Sequence, residues 1–167
     1  MTANVHLICG LTGAGKSTYA DALRRTLSGV RFSIDEWNSR LFFPDRSPTA
    51  DFDWYYERVQ RSCAQMRATA EQVLETGAPV IFDCGFTNRG ERGIFYDWAS
   101  EHSYATKLHF LDVASETRWR RVEQRNTERG ETFMLEVARE MFDFMETIWE
   151  APGADELARH SGEHVTN

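Results

Sequence analysis

One stretch near the start of the chain limits its fold more than any other: Gly10-Leu11-Thr12-Gly13-Ala14-Gly15-Lys16-Ser17. It matches the pattern G-x-x-x-x-G-K-[ST] at every fixed position. An apolar run, Val5–Cys9, precedes it, and apolar residues at helical spacing follow it as far as Leu27. We therefore expect a buried strand, a phosphate-binding loop and a helix in that order. The alternative is a glycine-rich turn that binds nothing.

The residue types of this loop explain how it can bind phosphate. Glycines adopt φ > 0, so that successive backbone N–H groups can point at phosphate oxygens, and the following helix directs its positive N-terminal end at the same anion. We expect Lys16 to reach the β- and γ-phosphates of a nucleotide and the Ser17 hydroxyl to bind Mg²⁺. The expected nucleotide-binding residues of the loop are Gly10, Thr12, Gly13, Ala14, Gly15, Lys16, Ser17 and Thr18.

The rest of the chain alternates between strand and helix patterns. Further strands are predicted at residues 30–34, 80–82 and 107–111, and further helices at 52–76, 88–102, 115–130 and 137–148. Residues 37–50 are expected to form a loop or a short helix, and an edge strand around Val165 is left open. This alternation is typical of a mostly parallel sheet covered on both faces. It predicts an α/β protein with three α/β/α layers, and the length of 167 residues predicts one domain.

Two acidic residues follow predicted strands at the edge where ligands bind in such sheets. Asp35 follows the second strand and Asp83 the third, so both should converge on the crevice beside the phosphate-binding loop. We expect Asp35 to be the base that deprotonates an acceptor hydroxyl, with helix N-capping as the alternative. We expect Asp83 to hold Mg²⁺, with a purely structural role as the alternative.

An arginine-rich helix supplies the third component of the predicted site. Arg118, Arg121, Arg125 and Arg129 are spaced by three or four residues and should share one helix face. Like charges so arranged repel one another unless an anion joins them, and the phosphates of a nucleotide would be such an anion. The alternative is a solvated surface helix whose charge is balanced by glutamates. Two tryptophans, Trp37 and Trp54, are candidates for the wall of an acceptor pocket or for the core.

Composition excludes several classes of protein. The formal net charge of −7 argues against a surface that coats nucleic acid. The three cysteines, Cys9, Cys63 and Cys84, lack metal-ligand spacing and are expected to be reduced thiols of a cytoplasmic protein. We expect no signal peptide, since the first strand begins at Val5, and no membrane span, since no apolar run approaches ~18 residues.

These motifs resemble those of the small P-loop kinases grouped as an AAA-like ATP-binding family. Its relatives include the kinase domain of phage polynucleotide kinase, chloramphenicol phosphotransferase and zeta toxins. The resemblance spans roughly Val5 to Trp149 and implies a P-loop NTPase fold with an arginine-bearing helical lid at about residues 118–134. It also implies that Asp35 is the general base and that the lid arginines clamp the ATP phosphates, namely Arg121, Arg125 and Arg129.

The resemblance has one informative departure. Polynucleotide kinases carry an arginine shortly after the base that helps to hold the phosphate of the acceptor, and this chain has Asn38 there. The sequence therefore predicts an ATP- and Mg²⁺-dependent kinase for a hydroxyl of a small molecule, with Lys16, Asp35, Arg125 and Arg129 as catalytic residues. The alternatives are a polynucleotide 5′-hydroxyl kinase and an ATP-hydrolysing regulatory switch. Nucleic acid and membranes are not expected as partners.

Overall fold

The computed structural model describes residues 4–130 and 136–166 and contains a five-stranded sheet with the strand order β2-β3-β1-β4-β5. Every strand pair is parallel, so all five strands end at the same edge of the sheet. This confirms the predicted α/β fold with its parallel sheet. The strands are β1 (Val5–Cys9), β2 (Val30–Ser33), β3 (Val80–Gly85), β4 (Thr106–Asp112) and β5 (Glu163–Thr166).

Seven α-helices connect or flank these strands in the described residues. A short 3-10 helix, Phe43–Asp45, also lies between the second and third α-helices. The α-helices are α1 (Lys16–Leu27), α2 (Ile34–Leu41), α3 (Phe52–Glu75), α4 (Arg89–Glu101), α5 (Ser115–Glu128), α6 (Arg139–Thr147) and α7 (Ala154–Arg159). None of the helices in this part of the chain is both long and apolar enough to cross a lipid bilayer.

Apolar side chains fill both faces of the sheet. On one face Phe82 packs against Phe95 and Trp98 of α4, and Met66 of α3 is fully buried in the same cluster. On the other face Ile8 and Ile81 form a smaller cluster with the first half of α1. The strands are apolar because they are covered on both sides, and the resulting three layers are those expected from the sequence.

Helix α3 shows where hydrophobic periodicity predicts burial well and where it does not. Apolar residues at steps of three or four from Phe52 to Leu74 predict one buried stripe along this helix. Cys63, Met66 and Leu74 lie in the core as this spacing predicts. Phe52 and Tyr56, which continue the stripe toward the N-terminus, are 67% and 48% exposed and stack on each other instead. Their assignment to the core is wrong, because the first turns of this helix lack the packing neighbours that cover its second half.

The C-terminal region is more ordered than its small and polar residues suggested. Helix α7 is held by a buried ion pair in which Arg92 Nε donates to Glu156 Oε1 at 2.6 Å and Nη2 donates to Oε2 at 3.0 Å. Strand β5 then pairs with β4, placing Val165 beside Leu111 and completing the edge strand that the sequence had left open.

Two helix positions differ from the sequence-based expectation. Ser115 is of a residue type that favours the N-cap, and the sequence predicts it there. It is instead the first residue of α5, and its hydroxyl donates to Glu146. The helical spacing of apolar residues between 137 and 148 predicts that Met141 and Phe144 of α6 face the core. The buried aromatic residue of α6 is instead Phe142, and Met141 and Phe144 are 54% and 47% exposed.

Candidate active site

The loop between β1 and α1 has the backbone geometry that phosphate binding requires. Gly13 and Gly15 have φ of +82° and +91°, values that strain residues with a side chain. At Gly13 a Cβ would also lie 2.5 Å from the carbonyl oxygen of Arg118, so any side chain would push α5 away from the loop. Lys16 begins α1, and its Nζ donates to the carbonyl of Leu11 at 3.1 Å, across the loop.

A crevice of about 790 Å³ opens beside this loop at the edge where the strands end. It is bounded by the loop and α1, by the end of β2 with the start of α2, and by α5. Its lining therefore includes most of the residues that the sequence singled out. The lining residues with polar or charged side chains are Thr12, Lys16, Ser17, Thr18, Asp21, Arg25, Arg31, Ser33, Asp35, Glu36, Arg121 and Arg125.

Asp35 lies in the first turn of α2 and lines this crevice. The cap of α2 is Ser33, whose hydroxyl accepts from the backbone N–H of Glu36 at 3.4 Å, so the N-cap alternative for Asp35 is wrong. Strand β2 ends one residue earlier than predicted because α2 already begins at Ile34. The Asp35 carboxyl is open to the crevice on one side, and its withdrawal from bulk water by the surrounding protein raises its pKa, while the charge of Lys16 opposes the shift.

The Lys16 ammonium has electrostatic partners in both predicted acids. Withdrawal from water lowers the pKa of Lys16, and the carboxylates of Asp83 and Asp35 oppose that shift. A lysine that begins the helix after a phosphate-binding loop and lines the crevice is placed to hold an anion that enters there.

Asp83 is buried near the end of β3, and its partner was not anticipated from the sequence. Arg31 of β2 donates from Nη2 and Nε to the same oxygen, Asp83 Oδ2, at 2.9 and 3.3 Å. A third nitrogen of the same guanidinium, Nη1, lies 3.0 Å from Glu36 Oε1. In sequence Arg31 is an ordinary polar residue of a strand, and only the register that pairs Phe32 with Phe82 and Ser33 with Asp83 brings it to this carboxylate.

The residues proposed to hold Mg²⁺ have suitable chemistry. Mg²⁺ prefers oxygen ligands and is usually bound by one or two protein groups together with phosphates of a substrate. Ser17 lines the crevice in the first turn of α1, whereas Asp83 is 4% exposed, is not among the lining residues, and takes both hydrogen bonds from Arg31 on Oδ2. No cluster of three or more His, Cys, Asp or Glu residues that could hold a metal by itself occurs in residues 4–130 and 136–166. The donor set therefore fits an ion that completes its coordination with nucleotide phosphates.

The four arginines expected on one face of α5 have different surroundings. Arg121 and Arg125 line the crevice, and Arg121 Nη1 lies 3.5 Å from the carbonyl oxygen of Ala14 in the loop. Arg118 is buried instead, where its side chain bonds to backbone carbonyls and to Glu146. Arg129 is the C-cap of α5, is 64% exposed and contacts Glu136, outside the crevice lining. The expected shared face thus reduces to Arg121 and Arg125 at the crevice.

Arg125 has an unsatisfied buried group. Its Nε is buried and has no hydrogen-bond partner, although Asp35 is close enough to oppose the lowering of the Arg125 pKa by burial. An unpaired buried donor is costly, and an anion bound in the crevice would satisfy it.

The tryptophans proposed as pocket walls do not line the crevice. Trp37 packs against Phe32 in the core with ring centroids 6.0 Å apart, and Trp54 lies under the guanidinium of Arg58. The aromatic residue at the crevice is Phe43, which follows α2.

Together, the parallel sheet, the glycine loop and the crevice define a P-loop protein of the kinase-like α/β type. Residues 5–148 match the family described as AAA domain, so the chain belongs to that family. No curated protein matches the chain.

Three solved structures illustrate the shared fold. A sugar kinase from Janibacter is 17% identical with a TM-score of 0.65, covering 99% of this chain and 86% of that one. Kti12 from Chaetomium thermophilum in complex with ADP-AlF3 is 18% identical with a TM-score of 0.71, covering 97% and 88%. A chain of the Pnkp1/Rnl/Hen1 RNA repair complex is 21% identical with a TM-score of 0.65, covering 89% of this chain and 44% of that one. At these identities the likeness establishes the fold.

Proposed function

We propose that this protein is an ATP- and Mg²⁺-dependent kinase that transfers the γ-phosphate to a hydroxyl of a small molecule. One observation carries the proposal: Asp35 shares a crevice with Lys16 and Arg125, and the charges of both cations act on its carboxyl. A switch that only hydrolyses ATP has no need of a carboxylate for an acceptor hydroxyl. A kinase needs such a group within reach of the transferred phosphate.

The proposed roles follow from position and charge. Lys16 and the N–H groups of the loop bind the phosphates, and Arg121 and Arg125 neutralise charge on the transferring group. Mg²⁺, held by Ser17 and Asp83 together with the nucleotide, would draw charge from the phosphate oxygens.

Transfer then needs one proton acceptor and one displacement. The Asp35 carboxylate takes the proton of the acceptor hydroxyl while the hydroxyl oxygen forms a bond to the γ-phosphorus and the bond to the β-phosphate oxygen breaks. ADP leaves with the electron pair of that broken bond, and Asp35 returns its proton to solvent. A carboxyl whose pKa lies above its ordinary value of 3.8 is, once ionised, a better base than an aspartate whose pKa is unshifted.

Charges near Asp35 favour a small acceptor over a polynucleotide. Asn38, which occupies the position of the acceptor-binding arginine of polynucleotide kinases, is buried and accepts from the Ser62 hydroxyl at 2.8 Å. Arg31, the arginine of β2, forms ion pairs with Asp83 and Glu36. Neither Asn38 nor Arg31 is therefore free to hold an acceptor phosphate, and an uncharged hydroxyl compound needs no such group.

We further propose that the chain is one kinase domain, with residues 118–134 as its lid, and that it works in the cytoplasm. The packing of α5 on the phosphate-binding loop supports the lid, of which residues 131–134 lie outside the described part of the chain. The described cysteines are all free thiols, in keeping with a reducing compartment.

A screen for acceptors tests the proposed activity. Hydroxyl compounds are added singly to protein with MgATP, and stimulated ADP release is measured for the wild type, for Asp35→Asn and for Asp53→Asn. Asp53 is an exposed acid at the start of α3 and serves as the charge-matched control. We expect an acceptor to stimulate the wild type and Asp53→Asn but not Asp35→Asn.

Two results would favour the alternatives. A single-stranded oligonucleotide with a 5′-hydroxyl that binds tightly, with an affinity that falls steeply with salt, would support the polynucleotide kinase. ATP hydrolysis that no acceptor stimulates would support the regulatory switch.

A further inference from the structure

The guanidinium of Arg31 lies against Asp83, the carboxylate proposed to bind the metal, and compensates its buried charge. Its side chain is 14% exposed and that of Asp83 is 4% exposed. Two of its nitrogens bond to Asp83 Oδ2 and the third pairs with Glu36, so a single cation bridges the end of β3 and the first turn of α2. Both bonds to Asp83 are charge-assisted and fall on the same oxygen, so the guanidinium compensates the buried carboxylate through Oδ2 alone.

Several other charged side chains lie near Arg31 and Asp83 and share the electrostatic field of this pair. The Arg31 charge also acts on Asp35 and on Asp21 of α1, and Lys16 interacts with Asp83 as well. Without Arg31, Asp83 and Glu36 would both lose an ion-pair partner, and Lys16 and Arg125 would remain as the cations acting on this group of acids. Such a site would attract a divalent cation even before any nucleotide arrived.

We propose that Arg31 is a built-in counter-ion that keeps Mg²⁺ off Asp83 in the nucleotide-free protein, so that the metal enters together with the nucleotide. The inference rests on the proposed function, which gives Asp83 to the metal. Arg31 is in this sense a positioning residue: it fixes Asp83 Oδ2 and leaves Oδ1 available to the incoming ion. The phosphates then supply the additional negative charge and oxygen ligands that a lone, neutralised carboxylate lacks.

The physical reason is competition for one carboxylate. Mg²⁺ gives up its water reluctantly, and a single carboxylate already paired with a guanidinium offers too little charge to strip it. A nucleotide brings several phosphate oxygens to the same place, and these shift the balance toward the metal. Removing the guanidinium should therefore increase metal binding most strongly in the absence of nucleotide.

Titration with Mn²⁺, followed by the loss of its free-ion electron paramagnetic resonance signal, tests this directly without any acceptor. The nucleotide-free wild type should show no saturable Mn²⁺ binding, whereas Arg31→Gln should bind one ion, and Arg31→Gln/Asp83→Asn should lose it. Arg25→Gln is the matched control, because Arg25 also lines the crevice but pairs with Asp21. It should behave as the wild type does.

A second variant removes a negative charge instead of a positive one, so the proposal can be tested even if Arg31→Gln folds poorly. Glu36→Gln removes an acid that faces Arg31, so the Mn²⁺ concentration needed for half-maximal ADP binding should rise by about threefold or more. The proposal is overturned if nucleotide-free wild type binds Mn²⁺ at Asp83, or if Arg31→Gln binds no more Mn²⁺ than the wild type. An unchanged Mn²⁺ requirement in Glu36→Gln also contradicts it. A purely structural Arg31 would lower only the melting temperature.

These outcomes are separate from those of the acceptor screen. If no acceptor is found, the kinase proposal fails while the Mn²⁺ result still decides the role of Arg31. If Asp83→Asn alone leaves Mn²⁺-dependent ADP binding unchanged, the assignment of Asp83 to the metal fails, and this inference fails with it.

Discussion

Arg118 Nη1 donates to the carbonyl oxygen of Thr12 at 3.2 Å and so ties helix α5 to the phosphate-binding loop. The same arginine donates from Nε to the carbonyl of Val113 at 2.8 Å and pairs with Glu146 of α6. Its backbone also packs on Gly13, where a side chain would not fit. One buried side chain therefore connects the loop, the start of α5 and α6, and it gives the crevice a fixed wall.

Arg118→Ala should destabilise the protein by about 2–4 kcal/mol, because it leaves two buried carbonyls and Glu146 without their partner. The measurement is the free energy of unfolding from denaturant titration. Arg120→Ala is the control, since Arg120 is exposed on the same helix and its loss should cost less than about 0.5 kcal/mol. Equal losses in the two variants would contradict a supporting role for Arg118.

The sequence predicted those parts of the molecule that depend on local pattern. The loop from Gly10 to Ser17, the parallel strands and the strand-end acids follow from residue spacing alone. The arginine periodicity placed Arg121 and Arg125 correctly, but it could not show that Arg118 turns into the protein, because that depends on Glu146 and on loop carbonyls far along the chain.

Long-range pairs account for most of what the sequence did not reveal. Helix α7 is short and polar, and it is stabilised by the pairing of Glu156 with Arg92, which lies 64 residues away. The contact between Arg31 and Asp83 spans 52 residues and depends on strand order. The spacing of apolar or charged residues along the sequence does not predict such contacts.

Lys16→Ala should abolish turnover and weaken ATP binding while the fold is preserved. The lysine interacts with both Asp35 and Asp83, and its loss removes charge stabilisation worth about 10²-fold or more in kcat. Nucleotide binding by calorimetry and single-turnover hydrolysis give the two readouts, with circular dichroism as the check on folding. Turnover near the wild-type rate would show that the loop does not hold the reacting phosphates.

Arg125→Ala and Arg129→Ala distinguish the arginine at the crevice from the one at the end of α5. Arg125 has a buried Nε without a partner, so its loss should lower kcat by about 10²-fold or more, as expected for an arginine that stabilises transferring phosphate. Arg129 lies outside the crevice lining, and we expect its loss to lower kcat less than about tenfold. A loss for Arg129→Ala as large as that for Arg125→Ala would support the role predicted for it from the sequence.

Asp35→Asn should separate catalysis from stability. Transfer to the acceptor should fall by roughly 10²–10⁴-fold, because the amide cannot accept the hydroxyl proton, whereas ATP affinity should stay near normal. The raised pKa means that ionising Asp35 costs stability as pH rises above its ordinary 3.8. At pH 7 the variant should therefore melt at the same temperature as the wild type or higher, and below pH 3.8 that advantage should vanish. Wild-type transfer rates in Asp35→Asn would show that another group is the base.

A buried histidine gives the fold a dependence on pH. His109 of β4 is 1% exposed, and its ring contacts side chains of β1, α1 and β5. Its Nε2 bonds to His6 Nδ1 at 2.9 Å. Its Nδ1 lies 2.9 Å from Tyr19 Oη and 3.1 Å from Glu163 Oε1. Burial lowers the pKa of His109, although Glu163 opposes the shift. The unfolded chain therefore binds a proton more readily than the folded one does.

The free energy of unfolding should accordingly fall as pH drops below about 6.5, by at most about 1.4 kcal/mol per pH unit for this histidine. His160, whose pKa burial also lowers, adds to the loss in the same window. Glu163, with its pKa lowered from 4.5 to about 2, affects stability only at more acidic pH, so denaturant titrations at pH 7.5 and 5.5 exclude its contribution. We expect His109→Gln to lose less stability between these two pH values than the wild type, whatever its stability at pH 7.5. An equal loss in both proteins would show that His109 titrates alike in the folded and unfolded states.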